Sequence, residues 1–259
     1  MQQLALSKKL LWITVGSIFI TVFVLSSILW WELSNSNKDL SADSRKLIVA
    51  EVEEKLIAHA SSYGERIAGF INESYRVPFS FAAILGDEKA ASTLSRESVV
   101  ALNESLLKKN TNISSIYSQF EANGFDGNDD QYQSGFKHSV AGEGTLEVYF
   151  TRSRDGVIEQ QVVEDINEKY LTKLNEFGQR EAEWYLCAKD TKQPCIMEPY
   201  LYEISPGYSE MMTSLVVPVM RGGKFIGITG VDLTLPVFQT MTEQLSKELY
   251  NGKARVTLL

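Results

Sequence analysis

Met211–Leu233 reads MMTSLVVPVMRGGKFIGITGVDL. Two apolar, β-branched runs, Met211–Met220 and Lys224–Leu233, are separated by Gly222-Gly223, a pair suited to the positive φ angles of a tight hairpin turn. Asp232 stands at the end of Ile228–Val231, a run that should be buried, and a buried carboxylate needs a partner. Its alternative reading is a satisfied strand-end or helix-capping residue ahead of Leu233–Leu245.

Working back from this hairpin, strand composition recurs at Ile113–Phe120 (ISSIYSQF), Leu146–Thr151 (LEVYFT), Glu183–Ala188 and Ile196–Tyr202. Arg154-Asp155-Gly156 supplies a hairpin turn into Val157 and Ile158. Helical patterns cover Arg96–Asn110, with Val99, Val100, Leu102, Leu106 and Leu107 as apolar positions, and about Asn167–Glu176. The expected fold class is α+β: helices first, then a mainly antiparallel sheet with one inserted helix. Ala254–Leu259 (ARVTLL) reads as a further strand after the Asn251-Gly252 turn, and its position suggests the front part of a longer protein.

The N-terminal third is different in kind. Leu10–Trp31 holds 22 residues without a charge, and at about 1.5 Å per residue such a helix spans about 33 Å, enough for a bilayer core. The run exceeds a signal-peptide core and lacks a small-x-small cleavage site. Trp12, Trp30 and Trp31 mark its ends as interfacial aromatics. Lys8 and Lys9 precede it while Glu32, Lys38 and Asp39 follow, which orients residues 1–9 to the cytoplasm and everything after Trp31 outward. The expected location is the inner (plasma) membrane, with residues 32–259 periplasmic or extracellular. From about Ser41 to Leu85 apolar residues recur in steps of three and four at Val49, Val52, Leu56, His59, Tyr63, Ile67, Phe70, Ser74, Val77, Phe81 and Ile84, one long amphipathic helix interrupted at most near Pro78. The stripe either covers its own domain's core or pairs with the same helix of a second chain as a homodimer. His59 reads as a packed residue of this stripe.

The chain of 259 residues is 44% hydrophobic, ample for a packed core, and carries a formal charge of −8. No cluster of Lys and Arg offers a surface for nucleic acid or anionic lipid headgroups. Two cysteines and two histidines are too few for a structural zinc site, so no metal is expected. The loop Asn123–Tyr132 alternates Asp126, Asn128 and Asp130 like a calcium loop, yet Gln131 stands where Gly is required and Lys137 where a bidentate Glu is required; these are turn formers. Sequons at Asn72, Asn103 and Asn112 carry no weight. No phosphate loop, nucleophile elbow or Cys-His pair appears, and no cofactor or enzyme activity is expected.

Glu183–Tyr202, EWYLCAKDTKQPCIMEPYLY, is dense in side chains able to hold a small ligand. Trp184, Tyr185, Tyr200 and Tyr202 offer aromatic faces to an apolar or cationic group; core packing is the alternative for each. Cys187 and Cys195 flank turn-forming residues, and in an oxidising compartment a disulfide would staple the ends of the two strands expected there, worth about 2.6 kcal/mol for a loop of about nine residues.

Taken in order, the anchor, the long helix, FEANGFDGND (Phe120–Asp129), Glu183-Trp184-Tyr185, Glu198-Pro199-Tyr200 and SLVVPVMRGGKFIGITGVDLTL (Ser214–Leu235) resemble the double-Cache (dCache_1) sensor region of bacterial methyl-accepting chemotaxis proteins. The resemblance implies a membrane-distal PAS-like module over about 86–259 that binds a small ligand, ahead of a proximal module that this chain does not reach. It implies a ligand ammonium held by Tyr200 and Asp232, and a carboxylate held by an Arg with Trp184 and Tyr185. The Arg expected two residues before Trp184 is Ala182, with Arg180 two places further back, and the acid expected two residues after Tyr200 is Tyr202. An amine thus competes with an amino acid as the implied ligand. The implied output is chemotaxis; the same sensor on a histidine kinase or diguanylate cyclase, and an anchored extracytoplasmic enzyme, are the alternatives.

Overall fold

The computed structural model describes residues 2–175, 178–205, 208–253 and 255–257. The chain divides into two compact units, Met1–Gly64 and Glu65–Leu259. The first consists of the N-terminal part of helix α1 (Gln2–Gly86). Phe19–Ser36 within it is long and apolar enough to cross a membrane, the one such stretch among the described residues. Val49, Val52 and Leu56, on the predicted stripe, are exposed on this unit, and His59 is exposed too, stacked on Tyr63 at 5.9 Å.

The second unit is an α+β sandwich around one antiparallel sheet. Its strands are β1 (Ser115–Phe120), β2 (Glu147–Arg152), β3 (Ile158–Gln161), β4 (Cys195–Ile196), β5 (Tyr200–Ser205), β6 (Tyr208–Arg221) and β7 (Lys224–Thr234). The order is β3-β2-β1-β7-β6-β4, with β5 also paired to β6. The β6–β7 hairpin closes at Gly222-Gly223, whose φ values of 55° and 78° only glycine adopts without strain. Side chains alternate across the sheet. Ile116, Phe120, Val148, Phe150, Leu215, Val217, Val231 and Leu233 face one core, shared with Ile67, Phe81, Ala82 and Leu85 of α1 and with Val99 and Leu107 of α3 (Arg96–Lys109). The predicted stripe holds here at Ile67, Phe70, Ser74, Val77 and Phe81, while Ile84 points out and Leu85 takes the inner place. Pro78 lies inside α1 without ending it. The opposite face of the sheet packs Tyr117, Val216, Phe225 and Ile228 on α4 (Glu183–Thr191). A short helix α2 (Glu88–Ala91) and helix α5 (Leu235–Glu248) complete the elements that bear on the argument.

Four expectations fail. Glu183–Ala188 is not a strand but the start of α4. Glu183 in the first turn and Lys189 in the last complement the helix dipole, and Lys192 closes the helix in a left-handed conformation at φ 58°. Ala182, Tyr185 and Ala188, three residues apart, are fully buried and let the helix lie close on the sheet; packing outweighs the strand propensity of Trp-Tyr. The helix expected over Asn167–Glu176 is only a 3-10 turn, Ile166–Tyr170, with residue 176 outside the described residues. The strand expected over Ile196–Tyr202 splits into β4 and β5 around Glu198-Pro199, where proline has no N–H to give a ladder. Arg255–Thr257 belong to no strand, and the rest of the expected Ala254–Leu259 strand lies outside the described residues.

The loop after β1 is tied by a residue that the calcium reading overlooked. Arg96, wholly buried at the start of α3, makes a bidentate pair with Asp126 at 2.7 and 2.9 Å and a third charged bond to Asp129 at 2.6 Å. Its guanidinium lies over the Tyr132 ring, 3.9 Å from the centroid. Asp126 and Asp129 thus spend their carboxylates on an arginine.

Candidate functional site

Between β1, β2, the β5–β6 hairpin, α4 and the segment 161–171 lies a cavity of about 600 Å³. The alternation of β1 aims Tyr117 and Gln119 into it, that of β2 aims Glu147 and Tyr149, and β7 contributes Asp232. Four of the six ligand-binding candidates come together here: Trp184 from α4, Tyr200 and Tyr202 from β5, and Asp232. The structure adds Tyr117 and Tyr149, and the five rings form one edge-to-face chain, Trp184–Tyr117 at 5.9 Å, Tyr117–Tyr149 at 6.1 Å, Tyr149–Tyr202 at 6.1 Å and Tyr202–Tyr200 at 6.5 Å.

Asp232 is 2% exposed. Register places it opposite Ser115 on β1 and Ser214 on β6, and both hydroxyls donate to its carboxylate, Ser214 at 2.6 Å. The Tyr200 hydroxyl lies 2.8 Å from that of Ser214, which extends the shell. Burial pushes the Asp232 carboxyl up to about 6, while the hydroxyls of Ser115, Ser214 and Tyr200 pull the other way. No cation is paired with it among the described residues. Burial, with Asp232 close by, raises the Tyr117, Tyr149 and Tyr200 hydroxyls, so all three stay protonated.

Glu147 and Lys169 form a second buried pair on the cavity wall. The Lys169 ammonium donates to Glu147 Oε1 and to the Phe120 carbonyl. Burial lifts Glu147 to about 7, opposed by Lys169. Among the described residues Lys169 is the only cation lining the cavity, against Glu147, Asp232 and the exposed rim carboxylates Glu164, Asp165, Glu168 and Glu181.

Two candidates stand elsewhere. Tyr185 is fully buried on the sheet side of α4 and donates to Glu121 at 2.6 Å, so it braces the helix and does not line the cavity. Arg180 binds Glu183 through two nitrogens at 2.6 and 2.9 Å and Asp190 at 2.7 Å. It holds the first turn of α4 and does not reach the place left by Ala182. Cys187 and Cys195 are bonded, with α carbons 6.3 Å apart. Because Glu183–Ala188 is helical, the disulfide joins α4 to β4 rather than stapling two strands. The carbonyl of Cys195 accepts a bond from the Tyr75 hydroxyl of α1.

Tyr117, Tyr149, Glu147 and Lys169 escaped the sequence reading. The first three had a signal in the sequence: polar and aromatic residues at every second position of two otherwise buried strands. Lys169 had none.

Residues 104–240, just over half of the chain and all of the cavity lining, match the model of the methyl-accepting chemotaxis protein-like first PDC sensor domain. Methyl-accepting chemotaxis protein TlpQ of Pseudomonas aeruginosa is 29% identical over 164 residues, covering 63% of this chain and 23% of its own length. The chain therefore spans about a quarter of that relative. Among solved structures, methyl-accepting chemotaxis protein X is 24% identical with a TM-score of 0.55 over 76% of this chain and 64% of its own. The extracellular domain of mmHK1S-Z2 is 20% identical with a TM-score of 0.60 over 76% of this chain and 64% of its own. These two share the fold. With its sheet, its cavity and the match over residues 104–240, the chain belongs to the methyl-accepting chemotaxis protein-like family, of which it carries the first PDC sensor domain.

Proposed function

We propose that the chain is the ligand-sensing front end of a membrane-anchored chemoreceptor of the double-Cache kind, not an enzyme, and that it binds a small amine-bearing molecule. The observation that carries this reading is Asp232, a buried carboxylate on the wall of an aromatic cavity with no cation paired to it. An ammonium would supply the missing charge, with the rings of Trp184, Tyr200 and Tyr202 around its alkyl part, and a desolvated cation over such rings gains about 2 kcal/mol. A free or quaternary amine fits better than an amino acid, since Lys169 is already engaged by Glu147 and Arg180 by Glu183 and Asp190.

In this reading the apolar N-terminal stretch spans the inner membrane, residues 1–9 are cytoplasmic and the sensor lies outside. The exposed Val49, Val52 and Leu56 support a homodimer through the long helix. Binding that favours one of two helix arrangements would carry the signal inward. The output is assigned to chemotaxis on the family match; a histidine kinase output would instead show as autophosphorylation of the intact receptor.

Isothermal titration of the chain in detergent micelles with n-pentylamine, choline and L-alanine tests the site. Asp232→Ala and Trp184→Ala should each weaken amine binding at least tenfold. Unchanged affinity in both variants would place the ligand elsewhere.

A further inference from the structure

Two groups on the cavity wall keep a buried polar atom without a partner among the described residues, the Tyr117 hydroxyl and the Glu147 carboxylate, and of these only Glu147 carries charge. Its side chain is 1% exposed, one carboxylate oxygen is held by Lys169, and the other, Oε2, meets no partner. A buried acceptor left unsatisfied costs about 1–3 kcal/mol. The cost is unnecessary for Lys169 alone, whose ammonium one oxygen and the Phe120 carbonyl already serve.

Position gives Oε2 its meaning. Asp232 lies opposite Ser115, and Glu147 lies opposite Gln119, four residues further along β1 and on the far side of it. Strand geometry separates their α carbons by about 13 Å along the sheet and about 10 Å across it, roughly 16 Å in all. Both side chains nevertheless open into the same cavity of about 600 Å³. The site therefore has two buried carboxylates at opposite ends, with aromatic rings between them. Lys169 balances Glu147, so the far end carries no net charge to satisfy but does carry an acceptor.

Resting on the amine reading above, we propose that Glu147 is a second ligand-reading residue. Its Oε2 accepts a hydrogen bond from an N–H or O–H donor at the distal end of an elongated amine whose ammonium sits at Asp232. The ligand class is then a linear bifunctional amine, and a simple alkylamine fills only half of the site. Glu147 selects for the distal donor, while Asp232 supplies the charge attraction common to every amine.

The test is a matched series on the unaltered chain in micelles: n-alkylamines, ω-amino alcohols and α,ω-diamines from butyl to octyl, measured by isothermal titration. At least one bifunctional class should bind ten times or more tighter than the alkylamine of equal length, with an optimum at one chain length. A gain by diamines alone marks a charged distal donor; a gain by both classes marks a neutral donor as sufficient. Glu147→Gln turns an acceptor toward a donor and should remove the gain, so that bifunctional amines bind this variant no tighter than the alkylamine of equal length. Glu147→Gln with Lys169→Met removes the pair together and guards against misfolding of the single variant. Alkylamines that bind as tightly as their bifunctional counterparts at every length overturn this proposal alone. Failure of every amine to bind overturns the reading of Asp232 as well.

Discussion

Tyr117 on β1 and Gly230 on β7 stand directly opposite each other in the antiparallel ladder, and a Cβ on Gly230 would lie 2.4 Å from both the Cζ and the hydroxyl oxygen of Tyr117. The ring can therefore lie across the neighbouring strand only because that residue has no side chain. This contact places Tyr117 between Trp184 and Tyr149 in the ring chain of the cavity.

Gly230→Ala should displace the Tyr117 ring and destabilise the fold by about 1–3 kcal/mol, the usual penalty of overpacking a tight core. Thermal unfolding measures the loss. Amine affinity should fall in the same variant, and a companion Tyr117→Ala substitution should relieve the clash and recover part of the stability.

Asp232 gives a prediction with opposite signs for stability and binding. Its folded pKa of about 6 lies above the ordinary carboxylate value of about 3.9, so the folded state binds the proton more tightly. Stability is reduced by roughly 3 kcal/mol where both states are ionised, and is regained as the pH falls from about 6 to about 4. Asp232→Asn should accordingly raise the melting temperature of the ligand-free protein at pH 7 while abolishing amine binding. In the unaltered chain, amine affinity should drop about tenfold per pH unit below 6, where the carboxylate takes up the proton that the ammonium must displace. An affinity flat from pH 8 to pH 5 would contradict this.

Arg96→Met should cost about 3–5 kcal/mol, because it strands Asp126 and Asp129 in a partly buried loop without their counter-ion. Chelation by EGTA should leave the melting temperature of the unaltered chain in place, since those carboxylates serve the guanidinium.

Replacing both Cys187 and Cys195 with Ser should lower stability by about 2.6 kcal/mol on the chain-entropy estimate for a loop of about nine residues. A reductant should shift the melting temperature of the unaltered chain downward and leave the double variant unmoved. Since Cys187 lies one turn beyond Trp184 on α4, amine binding should weaken along with stability.

The strands β1, β2, β6 and β7 were legible because each carries its apolar period and turn residues locally, and Gly222-Gly223 joins the last two without help from the rest of the chain. Asp232 was legible as a charge closing an apolar run, and the disulfide followed from two cysteines and the expectation of an oxidising compartment. Helix α4 was not legible. Nine residues containing Trp-Tyr suit a strand as well as a helix, and only burial of Ala182, Tyr185 and Ala188 against the sheet settles the choice. That choice turns Tyr185 into the core, commits Arg180 to Glu183 and Asp190, and carries Cys187 to β4.

By itself, then, the sequence determined an N-terminal apolar stretch, an α+β fold with an antiparallel sheet, and four of the side chains that meet in the cavity, because composition and periodicity are properties of short segments. Tertiary structure alone decided that Tyr117, Tyr149, Glu147 and Lys169 join them. Cross-strand register sets Glu147 four residues along β1 from Asp232 and on its other side, and a relation between residues 85 positions apart is written in strand pairing, not in either segment.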